Sequence, residues 1–88
     1  MLGKPRINSD IYSLGMIAIH ALTGSAPNQF QSATTGEIIW RNEANVSSKL
    51  AKIIDKMVRY LSAKRYQSAT EVLKDLDALN KKNPLLRL

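Results

Sequence analysis

From Ile11 to Thr23 no lysine, arginine, aspartate or glutamate interrupts the chain, and Gly24 follows at once. Wound into a helix, Ile11, Tyr12, Leu14, Met16, Ile17, Ala18, Ile19, Ala21 and Leu22 cover nearly every face. A helix apolar on all sides needs other structure around it. The stretch is well short of the roughly 18 apolar residues that a bilayer span takes, so the expectation is a central helix inside a protein and not a membrane crossing. Ser9 reads as its N-cap and Gly24 as its C-terminal stop. Residues 1–8, with Gly3, Pro5 and no helical period, read as an extended lead-in.

Two further helices follow from periodicity. Ser47 suits the N-cap of a second, in which Leu50, Ile53, Ile54, Met57, Val58 and Leu61 recur at three- and four-residue spacing while Lys49, Lys52, Lys56 and Arg59 face away. After a short connection over residues 62–67, Ser68-Ala69-Thr70-Glu71 has the spacing of a capping box, serine accepting the third backbone N–H and glutamate returning a bond. Val72, Leu73, Leu76 and Leu79 supply the apolar stripe of this third helix. Lys81 and Lys82 suit its negative end, and Pro84 limits its continuation into a tail over 81–88. Between Ser25 and Val46 the chain is irregular, with only Glu37 to Arg41 apolar enough for a short turn or helix. The expected class is all-α: a single domain over residues 1–88, a small bundle of about three main helices with short helical turns.

Composition narrows the chemistry. At 88 residues there is room for one core. The 44% hydrophobic and 23% charged content is that of a folded chain and not of a disordered tail. Cysteine is absent, which removes disulfides, thiolate zinc sites and cysteine nucleophiles together. His20 is the single histidine, and it sits nearly three helical turns from Asp10, out of reach as a base with an orienting carboxylate. It reads as a satisfied, partly buried histidine. Gly3-Lys4 lacks the upstream glycine and following Ser or Thr of a phosphate-binding loop. Glu71, Asp75 and Asp77 read as solvated residues on the outer face of the third helix. The net charge of +6 belongs to the second half: residues 1–46 balance three basic against three acidic side chains, and residues 47–88 carry ten against four. No catalytic, cofactor-binding or metal-binding residue is assigned from these patterns.

The segment Ser9-Asp10-Ile11-Tyr12-Ser13-Leu14-Gly15, with Ala21-Leu22-Thr23-Gly24 and Pro27 after it, resembles the large lobe of a serine/threonine protein kinase. That family has a buried central helix opening with such a pattern. A later helix in the family is followed by Arg-Tyr-x-Ser-Ala-x-Glu-Val-Leu, met here at Arg65 to Leu73. The run Thr35-Gly36-Glu37-Ile38-Ile39-Trp40-Arg41 is similar to cyanobacterial members. The resemblance covers residues 3–80 and implies a sub-fragment of the kinase C-lobe, in the cytoplasm, with the rest of the kinase domain as its partner and self-association through the apolar first helix as an alternative cover. In the parent protein it implies ATP-dependent transfer to protein serine and threonine, with ATP and magnesium as cofactors.

The glycine-rich loop, strand lysine, His-Arg-Asp loop and Asp-Phe-Gly metal ligand of that family do not occur in the 88 residues. The chain therefore resembles the last third of a kinase domain, cut from a longer chain or read from a frame without the front half, and is expected by itself to bind no magnesium-ATP and to transfer no phosphate. The resemblance implies two structural anchors. Asp10 matches an aspartate whose carboxylate accepts backbone N–H bonds from the catalytic loop; without that loop it reads as a cap on its own helix. Arg65 matches an arginine that pairs with a buried glutamate of the activation segment; without that glutamate it reads as a solvated loop residue. Against the kinase reading stand a basic nucleic-acid module, the last two helices imitating a helix-turn-helix through Ala63 to Tyr66, and a pure protein-interaction module. Glu71 and Asp75 at the start of the would-be recognition helix oppose phosphates, so no nucleic-acid partner is expected.

Overall fold

The computed structural model describes the backbone of residues 3–81 and the side chains of residues 9–80. Helix α1 spans Gly3–Thr23, α2 Ser48–Met57 and α3 Ala69–Lys81. Short 3-10 turns lie at Pro27–Phe30, Arg41–Glu43 and Ser62–Lys64. The described chain is all-helical apart from one isolated antiparallel bridge between Gln31 and Ile38. Helix α2 is the middle layer, packing on α1 through one side and on α3 through the other. Overall extents of 38 × 34 × 17 Å make the molecule a slab. Among the described residues, Leu14 and Ile17 on the outer face of α1 and Leu73 on that of α3 remain exposed.

The seam between α1 and α2 is set by Gly15. A Cβ there would lie 2.6 Å from Val58 Cγ1 and 2.9 Å from Met57 Cβ, so only a hydrogen at this position lets the helices approach so closely. Met57 at the end of α2 and Val58 just past it meet Gly15, and Ile11, Ile19, Ala51 and Ile54 belong to the same core. The other half of the core comes from the irregular region. Ile38 and Trp40 are buried, Trp40 completely, and with Tyr66 and Val72 they close the core around Ile53 and Ile54.

Several expectations are corrected. The extended lead-in gives way to helix from Gly3, and Ser9 and Asp10 lie two turns inside α1 and cap nothing. Pro5 falls in the first turn, where backbone N–H groups have no helical acceptor and a fixed φ costs nothing. Residues 1–2 and the tail beyond Lys81 lie outside the described residues. Glu37 to Trp40 is not helical, and Arg41 opens the next 3-10 turn: Ser32 N–H donates to the Glu37 carbonyl at 2.8 Å and Ile39 N–H to the Phe30 carbonyl at 2.9 Å, folding the stretch back on residues 30–32. Gly36, at φ +77°, makes that reversal, and a Cβ there would also strike the Tyr60 ring at 2.5 Å. Helix α2 stops at Met57, which leaves Leu61 exposed instead of on the stripe. On α3 only Val72 is buried and Leu79 half-buried, while Leu73 and Leu76 face solvent, because α2 covers a narrower face than the stripe offers.

The caps fall where the sequence puts them. Ser47 Oγ accepts the Leu50 N–H at 3.1 Å, and Ser68 Oγ accepts the Glu71 N–H at 3.2 Å. The return bond differs: Glu71 Oε1 accepts from Gln67 N–H at 2.7 Å, one residue before the serine. Gly24, at φ +75°, ends α1 and donates its N–H to the His20 carbonyl at 2.8 Å.

Candidate functional site

Arg65 enters its position from the 3-10 turn Ser62–Lys64, where its N–H donates to the Ser62 carbonyl at 3.1 Å. Gln67 braces the turn through Nε2, which donates to the carbonyls of Ser62 at 3.0 Å and Arg65 at 2.8 Å. The Arg65 guanidinium then points back to the end of α2. Nε donates to the Arg59 carbonyl at 2.7 Å and an Nη to the Tyr60 carbonyl at 3.0 Å. Its face lies 4.6 Å from the centre of the Tyr12 ring on α1. A planar cation with donors along its edge and a stacking face can do both at once. One side chain thus ties α1, the turn after α2 and the approach to α3. The expectation of a solvated Arg65 is corrected: the carbonyls left over past the helix end and the aromatic face of Tyr12 are its partners.

Tyr66, next in the chain, is completely buried and its hydroxyl donates to Asp75 Oδ2 at 2.7 Å. Burial, and then the Asp75 carboxylate that accepts its proton, push the Tyr66 phenol well above its ordinary range. Lys56 Nζ sits 4.6 Å over the same ring. Asp75 is therefore an acceptor and not merely a solvated acid.

Asp10 is exposed on α1. At 100° per residue it shares one face with Leu14, Ile17 and Ala21, all of them exposed, Leu14 at 56% and Ile17 at 65%. Tyr12 lies about 200° round the helix from Asp10, so Arg65 meets α1 on the side opposite Asp10. His20 is exposed rather than partly buried, since it too falls away from the side that α2 covers.

A third polar centre had no sequence assignment. Asp55 accepts the Trp40 indole N–H at 2.7 Å through Oδ1 and the Arg41 Nε at 2.8 Å through Oδ2, and Arg41 Nη2 lies 2.7 Å from the same oxygen. Glu37 adds a second tie, 3.5 Å from Arg59 Nη2 and accepting the Tyr60 N–H at 3.4 Å. The signal was a lone tryptophan in an apolar run: buried indole N–H groups find acceptors, and Asp55 is the acid of α2. Among the described residues no group of three or more histidine or acidic side chains is placed to hold a metal ion, and no helix is long and apolar enough to cross a membrane.

No family model and no solved structure matches the chain. Curated proteins do. Serine/threonine-protein kinase C of Synechocystis sp. is 49% identical over 76 residues, 84% of this chain. Serine/threonine-protein kinase PknA of Nostoc sp. is 42% identical over 76 residues, again 84% of the chain. Serine/threonine-protein kinase B of Synechocystis sp. is 38% identical over 78 residues, 88% of the chain. The chain is homologous to a segment of cyanobacterial serine/threonine protein kinases. It spans 14% of the length of each of these three relatives. The kinase-like chain is all-helical, and Gly15, Asp55 and Arg65 tie its elements together.

Proposed function

We propose that this chain forms the closing part of the large lobe of a serine/threonine protein kinase and is there a non-catalytic support for the catalytic loop and activation segment. The observation that carries the reading is the outward stripe of α1, where the Asp10 carboxylate heads the apolar side chains of Leu14, Ile17 and Ala21. A carboxylate that caps nothing in its own helix, beside apolar residues in solvent, suits a surface that receives other backbone N–H groups and other apolar side chains. On this reading the rest of a kinase domain lies on that stripe, Asp10 accepts from the catalytic loop, and Arg65 adds a buried glutamate to the carbonyls it already holds. The activity of the whole protein is then ATP-dependent phosphorylation of protein serine and threonine in the cytoplasm, with ATP and magnesium held by residues that are not among these 88.

The test is a chimera in which the matched segment of the Synechocystis kinase C is replaced by this chain and phosphoryl transfer to a generic protein substrate is followed. Activity within about tenfold of the parent, lost on Asp10→Ala or Ile17→Asp, is the expected result. A chimera that folds and purifies as the parent does, yet keeps full activity with both substitutions, refutes the supporting role.

A further inference from the structure

Between α2 and α3 runs an open cleft of about 400 Å³, with the Tyr66–Asp75 hydrogen bond and the Lys56–Tyr66 contact at one end. Its α2 bank is a ridge of Lys49, Lys52 and Lys56, exposed side chains one turn apart on one face. Its floor is apolar: Ile53 from α2, Ala78 and Leu79 from α3. One end is closed by Tyr66 and Asp75. From these observations we propose that the cleft is a docking site for an acidic peptide segment of a partner protein that carries a single apolar anchor side chain.

Charge and shape choose that occupant. Lys52 and Lys56 in the lining face one aspartate, and the Asp75 oxygen that faces Tyr66 already accepts its hydroxyl. Asp55, the acid of α2, is held by Trp40 and Arg41 and is not part of the cleft lining. Lys56 lies over the Tyr66 ring, so its ammonium group is fixed at the closed end of the cleft instead of sweeping through solvent. An extended backbone laid beside the ridge would present carboxylates to the lysines and lower one aliphatic side chain onto Ile53 and Leu79. A nucleic-acid backbone matches the ridge but has nothing for the apolar floor. A bilayer, being flat or convex, does not enter a cleft. The chain's own residues 82–88 bring Lys82 and Arg87, of the same sign as the ridge.

A fluorescein-labelled peptide of glutamates around one central leucine, titrated into the full chain and followed by anisotropy, tests the site. Saturable binding is expected, weakened about tenfold or more by the double change Lys52→Glu and Lys56→Glu and by raised salt. Replacing the peptide's leucine by serine should weaken it as well, a comparison that needs no protein variant. Methyl shifts in the NMR spectrum should cluster on Ile53, Ala78 and Leu79. Equal binding of the serine peptide, shifts on other surfaces, or no saturable binding would overturn the proposal. So would tighter binding of a DNA duplex that competes with the peptide. Dimerisation of the chain through the same lysines, seen by sedimentation, would assign the cleft to a second copy and also reject it.

Discussion

Helices α1 and α2 pack on each other, yet they use their apolar residues in opposite ways. In α2, Ala51, Ile53, Ile54 and Met57 are buried and the lysines are exposed, so its sequence pattern and its contacts agree within the described chain. In α1, Ile11, Gly15 and Ile19 are buried, but Leu14, Ile17 and Leu22 are left in solvent. The difference teaches that periodicity reports the surroundings a helix is made for, and that for α1 those surroundings exceed what these residues supply. Fully buried apolar side chains each contribute about 1.5–3 kcal/mol relative to exposure. The outward stripe of α1 leaves that contribution unrealised, which is the physical content of the proposed kinase partner.

The largest expected effect lies on the α2 side. Trp40 is completely buried and hydrogen-bonded to Asp55, so Trp40→Ala should cost about 3–5 kcal/mol. For so small a domain that approaches the whole stability. Circular dichroism across a urea series should show a chain partly or wholly unfolded in water. A loss under about 1 kcal/mol would mean that the core is organised by α1 and not around α2.

Arg65→Ala comes next, because it cuts a side chain that ties α1 to the turn after α2. The change removes charged donors from the carbonyls of Arg59 and Tyr60 and the cation from the Tyr12 ring. Hydrogen bonds to charged groups are worth about 1.5–3 kcal/mol, so a loss of that order is expected in urea melts. Arg65→Lys should recover only part of it, since an ammonium cannot serve two carbonyls and a ring face together. If alanine costs no more than an ordinary surface change, about 0.5 kcal/mol, the clasp is absent in solution.

What the sequence disclosed follows from how local each feature is. Ser47, Ser68 and Gly24 act within one turn of themselves, and their caps and stop were legible. The Arg65 to Leu73 motif located the loop and the start of α3 but not the partners of Arg65, which sit on α1 and beyond α2. Ser9 and Asp10 misled because each is a good N-cap residue, while a proline in the first turn allows a helix to begin earlier. Trp40 and Ile38 escaped notice in the core because they lie in a stretch with no period, held by Asp55 from fifteen residues along the chain. Leu73 and Leu76 were misplaced for the converse reason: a stripe states what a helix can bury, and the width of its neighbour decides what it does bury.

Tyr66 gives a smaller, pH-dependent effect on the α2–α3 side. Its folded pKa is raised, by burial first and by Asp75 second. Folding therefore favours the neutral phenol, and this stabilisation is complete below the unfolded value near pH 10. It is lost as the pH climbs above that value toward the folded one. Tyr66→Phe should cost about 1 kcal/mol at pH 7 through the lost hydrogen bond to Asp75. The gap between the two proteins should narrow in melts taken above about pH 10. A gap that widens with alkali would reverse the sign of the Tyr66 interaction.

The smallest effect is also the sharpest test of the contrast between the helices. Leu14→Gln with Ile17→Gln places polar, helix-compatible side chains on the exposed stripe of α1. If that stripe faces only water in this chain, stability should change by no more than about 0.5 kcal/mol. The equivalent disturbance on α2, Ile54→Ala, should cost about 2–5 kcal/mol, because Ile54 is buried. Urea melts at two protein concentrations decide between the cases. A loss above 1 kcal/mol that grows with concentration would show that a second copy covers α1. A loss of the same size at both concentrations would place a cover within the 88 residues themselves, and the argument that α1 awaits a partner would fail with it.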